Sequence, residues 1–338
     1  MKSLAVTFLS LLLFGTNGCR KPPIRMGAYA TKTIGTRFPN PENLGRHNSR
    51  SEKNGQVYTC KAGHIDLAHL RKAADWTAVL AEKTFEHLMK NETEFSFRLR
   101  EPSVYFVMLT YPKNWENLPQ KDKERIARNV SIELGQYFSY TATTWHEIIT
   151  WFGYKGTGIY SEFPSAFSWE DMISNLLGTY GAGQALRDTK HSFDEAMTLV
   201  LDRQLEILDV QPRHIAKLAS KKMKGDWYSG GLLFFVKMKR RNFDTGLDDG
   251  FITPCIVPSL YGCEEVEAPI FLTPNPDSLS EYGFSVKLKI KPTLWERRKI
   301  LNVVYPNRKA RKKQIEPVIH FAPIMDYIKK EAVKKWLK

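Results

Sequence analysis

Several familiar signatures of chemistry are missing from this sequence. Only four cysteines occur in 338 residues, and no two are spaced as CxxC, so a thiolate zinc knuckle is excluded. HExxH is also absent: Glu147 follows His146, but residue 150 is Thr, so there is no zincin helix. No GxSxG elbow offers a serine nucleophile, and no Walker loop or Rossmann fingerprint offers a phosphate cradle. Beyond residue 19 no apolar run is long enough to span a bilayer. Acidic residues are scarce at the C-terminal end. Between Val286 and Lys338, sixteen Lys or Arg face only four Asp or Glu, and this stretch holds most of the net charge of +14.

What is present is ample core material. The hydrophobic fraction is 42%, with 19 Phe, 14 Tyr and 8 Trp, which argues for a folded chain rather than a disordered one.

The first residues read MKSLAVTFLSLLLFGTNGC. Lys2 precedes a short apolar run, Leu4 to Phe14, as in a signal peptide. Thr16-Asn17-Gly18-Cys19 resembles a bacterial lipobox, although Thr16 and Asn17 depart from the usual Leu-Ala pair. The expectation is export, lipidation at Cys19 and residence in the cell envelope. Arg20 in place of Asp favours the outer membrane, facing the periplasm, if the cell is Gram-negative. Cys255 and Cys263 flank the turn-forming IVPSLYG and are the expected disulfide in that oxidising setting.

The chain divides by texture. Residues 1–19 form the signal segment, and 20–55, rich in Pro, Gly, Asn and basic residues, read as a tether or extended arm. Residues 56–223 form a mainly helical portion with a few short strands. Residues 224–338 form a basic, β-containing portion that closes on an amphipathic helix. The fold class is α+β. In the closing helix Ile324, Ile328, Ala332 and Trp336 make a stripe, which either docks on the core or lies on an anionic surface. The charge of residues 286–338 points to an anionic envelope lipid or cell-wall polymer. Nucleic acid is not expected, because no helix-turn-helix or aromatic strand motif accompanies the charge.

Three stretches could carry chemistry. KAGHIDLAHLRKAADW, residues 61–76, brings His64, Asp66 and His69 close in sequence. Thr144-Trp145-His146-Glu147 lies late in a long helix, and Ser165 to Met172 contains Glu170 and Asp171. Imidazoles and carboxylates gathered from several helices are what a metal-dependent hydrolase needs. His64, His69 and His146 are the expected ligands of zinc or another divalent metal. Asp66 would be a ligand or an orienting group, and Glu147 the general base. The competing reading is local: Asp66 caps a helix, Thr144 pairs with Glu147, and Ser168 pairs with Asp171, as in capping boxes. Two other functions stay open, a non-catalytic envelope-binding lipoprotein and a thiol hydrolase built on Cys60 and His64.

VYTCKAGHIDLAHLRKAADWTAVL, TTWHEIITWFGY and SAFSWEDMISNLLG, in this order, resemble a family of exported bacterial proteins that is known only as a domain of unknown function. The resemblance implies that His64, Asp66, His69, His146, Glu147, Glu170 and Asp171 are family-motif residues, and it implies no reaction. The Gly63-His64 pair is also similar to permuted papain-like hydrolases. Those need a later Cys at a helix start, where this chain has Asn175.

Overall fold

The computed structural model describes Arg25 and residues 37–336, apart from 157–160, 231–236, 248, 265–269, 308 and 310. The expected signal segment and Cys19 lie outside the described residues.

The fold is α+β and is built on three helices. α1 (Leu67–Met89), α2 (Gln120–Trp151) and α3 (Asp171–Arg187) pack on one another. α1 is rich in alanine on its buried faces, so its neighbours can approach closely. At Gly178 the approach reaches the backbone, since a Cβ there would lie 1.9 Å from the Leu70 carbonyl oxygen. α4 (Phe193–Ile207) packs against α3 and opens on a true capping box between Ser192 and Glu195. α5 (Arg213–Met223) lies against the first strand.

That strand, β1 (Gln56–Thr59), pairs antiparallel with β2 (Gly63–Asp66), placing Tyr58 opposite His64. β2 starts at Gly63, whose φ of 70° lies in the left-handed region that glycine tolerates. β3 (Glu94–Phe97) and β4 (Ser103–Thr110) belong to a three-stranded antiparallel sheet. β5 (Tyr228–Ser229) pairs with β6 (Lys237–Met238), and β7 (Phe251–Ile252) with β8 (Phe271–Leu272). β9 (Ser285–Pro292) returns to pair with β4 and completes the larger sheet. The basic C-terminal portion thus shares a sheet and a core with the helical portion. α6 (Arg297–Val304) and α7 (Pro317–Trp336) follow.

One expectation changes, and one open alternative is decided. The segment from residue 37 onward is no loose tether: Phe38 and Leu44 are buried, and a buried ion network holds the arm to α1. Glu52 accepts from Arg25 at 2.8 Å and from Arg71 at 3.0 Å, while Asp75 bonds Arg25 and His47. In α7, Ile324, Ile328 and Ala332 are buried in the main core. These three positions dock on the protein, the Trp336 side chain lies outside the described residues, and Lys329, Lys330 and Lys334 form the solvated face.

The disulfide also differs. Cys60 is bonded to Cys263 across 203 residues of sequence, and Cys255 keeps its thiol. The β1–β2 turn is brought to the 255–263 loop in part by Tyr58, whose hydroxyl accepts the Val257 amide at 3.1 Å. Bonded to Cys263, Cys60 is no nucleophile, and the thiol-hydrolase reading built on it falls.

Candidate functional site

Three helix ends converge on one acidic site. At the first, Asp66 caps α1, with Oδ1 accepting the Ala68 amide at 2.7 Å. Its other oxygen, Oδ2, lies 3.5 Å from His69 Nδ1, on the first turn of the same helix. Across from them, Asp171 at the start of α3 brings Oδ1 to 3.3 Å from the same nitrogen. Glu147 reaches in from the last turns of α2. One ligand atom each from His69, Glu147 and Asp171 lie within 4.8 Å of one another.

The carboxylates are aimed by backbone. Phe167 adopts a left-handed φ of 54°, an unfavourable conformation for a non-glycine residue. Around this turn the Phe167 amide donates to Glu147 Oε2 at 2.8 Å, and the Ser168 amide donates to Asp171 Oδ2 at 2.9 Å. Arg241 holds the turn from behind. Its guanidinium donates to the carbonyls of Ala166 and Phe163, and stacks over Trp151 and Phe163. Burial pulls the Arg241 pKa down to about 10, against the pull of Glu147 and Asp171.

Four carboxylates at this site, Asp66, Glu147, Glu170 and Asp171, are each less than 5% exposed. Glu170 accepts from Gln56 Nε2 at 3.0 Å and from the Ser168 hydroxyl. Burial, with the nearby Asp66 and Glu147, still pushes Glu170 up to about 7. Asp171 is raised well above the usual carboxylate range, by burial first and then by Glu147, Glu170 and Asp66. Burial and the neighbouring carboxylates thus favour the protonated forms of Glu170 and Asp171.

Two of the three expected histidine ligands stand elsewhere. His64 lies in an aromatic box, its ring 5.0 Å from Tyr58, 6.0 Å from Trp169 and 6.4 Å from Trp227. Neither of its nitrogens has a hydrogen-bond partner, and burial lowers its pKa to about 3. The reason is strand geometry: extended backbone carries His64 away from the helix start, and pairing with Tyr58 sets its ring contact. His146 sits beside Glu101 at 3.4 Å and Glu162 at 3.8 Å. Successive helical residues point about 100° apart, so His146 and Glu147 face different surroundings.

The capping reading is partly realised. Asp66 both caps α1 and faces His69. Asp171 accepts the Ser168 amide, but the Ser168 hydroxyl turns to Glu170, so the box is half formed. Thr144 is buried within α2 and starts no helix. Sequence reasoning missed Arg241 and Phe167. No local pattern marks either one, since each matters through a turn distant from it or through its own φ.

The site defines an α+β protein with a carboxylate-rich cluster of helix ends around one histidine. The chain belongs to the family described as Protein of unknown function (DUF4056), whose model matches residues 39–245, more than half of its length. Asp66, His69, Glu147, Asp171 and Arg241 all lie within the match. Neither a curated protein nor a solved structure matches.

Proposed function

We propose that this protein is a metal-dependent hydrolase of the cell envelope, with its cation held by His69, Glu147 and Asp171. One observation carries the reading. His69 Nδ1 is buried, lacks a hydrogen bond of good geometry, and lies between the carboxylates of Asp66 and Asp171. A ring nitrogen in that position suits a metal ligand better than a structural contact, because a buried polar atom without a partner is costly. One imidazole and two carboxylates form a donor set that zinc accepts, with a position left for water. A bound cation would lower the pKa of that water, and Asp66 is placed to take its proton. The export signal and the basic C-terminal portion support an anionic envelope substrate such as a phospholipid or a wall fragment.

The test is metal analysis of the purified protein, followed by zinc titration by calorimetry. Stoichiometric binding is expected, abolished by Asp171→Asn and by His69→Gln and retained by His146→Gln. Absence of binding by zinc, manganese and magnesium alike would overturn the reading. Hydrolysis of anionic phospholipid and of wall fragments by the loaded protein then distinguishes the two substrate classes.

A further inference from the structure

The sheet β3–β4–β9 buries one face and leaves the other partly exposed, with Met108, Lys287 and Lys291 exposed and Val104, Phe106 and Lys289 half-buried. Tyr105, Val107 and Leu109 of β4 and Leu288 and Ile290 of β9 point into the core. Register then dictates the outer face. Met108 pairs with Lys287, Phe106 with Lys289, and Val104 with Lys291. A row of apolar side chains thus runs beside a row of lysines, since alternate residues share a face. Lys287 and Lys291 are exposed, and Met108 is 38% exposed. Only Lys287 has a salt-bridge partner among the described residues, Glu316 at 3.0 Å. Three residues beyond the end of β9 stands Trp295, 92% exposed and followed by Arg297, Arg298 and Lys299. Tryptophan is normally buried over most of its surface, so exposure this complete is a signal.

We infer that the outer face of β4 and β9, together with Trp295, is a docking surface for a bilayer with anionic headgroups. The inference is independent of the hydrolase reading. Lysines recruit the anionic surface. The apolar row and the indole favour a bilayer over a soluble anionic polymer, because a bilayer interface accepts indole and thioether side chains and a hydrated polymer gives them little. This moves the membrane contact away from α7, whose stripe is spent on the core.

The experiment uses the full chain with vesicles whose acyl chains are brominated, which quench tryptophan that reaches them. Vesicles of phosphatidylglycerol are compared with vesicles of phosphatidylcholine. Wild type should be quenched more strongly on phosphatidylglycerol, and Trp295→Phe should remove most of that difference. A combined Lys287→Gln, Lys289→Gln, Lys291→Gln variant should shift half-quenching to a several-fold higher lipid concentration, and so should 0.5 M salt, about the range where charge screening is strong. Lys287, Lys291 and Trp295 are exposed and Lys289 is half-buried, so the variants should melt close to wild type. Equal quenching of wild type and Trp295→Phe on phosphatidylglycerol would overturn the inference. So would lipid-insensitive emission with retention on an anionic wall polymer.

Discussion

Asp171 Oδ1 lies 3.3 Å from His69 Nδ1, while Oδ2 of the same carboxylate accepts the Ser168 amide at 2.9 Å. One oxygen is thus fixed by backbone and the other is presented to the imidazole. Glu147 repeats the arrangement through the Phe167 amide. Side chains held this way lose little entropy on taking up a cation, which is the benefit of preorganisation.

That geometry separates ligands from neighbours. Glu147→Gln should weaken zinc binding by more than the roughly 10–100-fold that loss of an orienting partner costs. His64→Phe and His146→Gln should each change affinity by less than about threefold, since neither residue belongs to the cluster. Isothermal calorimetry at one pH reads all three. Equal losses at Glu147 and His146 would return His146 to the ligand set.

Glu170 makes the metal-free protein sensitive to alkali. Its carboxyl stays protonated to about 7 when folded, while the unfolded group ionises near 4.5. The contribution to stability is therefore full below 4.5 and lost as pH rises through about 7. The melting temperature of metal-free protein should fall between these values, and Glu170→Gln should flatten the fall. Zinc should stabilise most on the alkaline side, where the carboxylates must otherwise ionise unpaired. A flat profile in wild type would contradict this account.

His64 acts in the opposite direction. Its imidazole is neutral in the fold down to about 3, whereas an unfolded histidine protonates near 6.5. Stability from this group is present above 6.5 and is lost as pH falls toward 3. His64→Phe, which keeps an aromatic ring among Tyr58, Trp169 and Trp227, should reduce acid sensitivity with little change at neutral pH. Denaturant melts of both proteins at acid and neutral pH measure the difference.

The disulfide should be worth more than its surroundings suggest. Cys60–Cys263 closes a loop of 203 residues, so Cys263→Ser should cost about 2–5 kcal/mol in unfolding experiments. Cys255→Ser should cost under about 1 kcal/mol, as no bond is broken. Peptide mapping without reductant should find the 60–263 pair, and a 255–263 pair would refute it.

In α7 the two faces should respond differently. Ile328→Ala should destabilise by about 2–5 kcal/mol, because the side chain is fully buried. Lys330→Ala, on the exposed face, should stay within about 0.5 kcal/mol. Comparable effects from both would mean that the helix does not dock as described.

Helices carry the most local information, and they were the most legible part. Texture alone marks residues 56–223 as mainly helical, and α1 to α5 all lie within that stretch. Strand pairing is less accessible, since Gly63 is a strand residue only through Thr59, its partner across the turn. Within the site, sequence names Asp66, His69 and Glu147 only as part of a wider set with His64 and His146, and expects Glu147 as a general base rather than a ligand. His64 and His146 shared the same local signal and differ only in what faces them.

The sequence by itself determined the α+β class, the concentration of charge beyond Val286 and the residue types from which a site could be made. Those follow from periodicity and composition, which act over a few residues. The tertiary structure alone decided that Cys60 meets Cys263 rather than Cys255, that the α7 stripe is buried, and that Asp171 joins His69 and Glu147. It alone brought Arg241 behind the Phe167 turn. Each is a contact between residues far apart in sequence, set by how α1, α2 and α3 cross, and direction in space is not encoded in spacing along the chain.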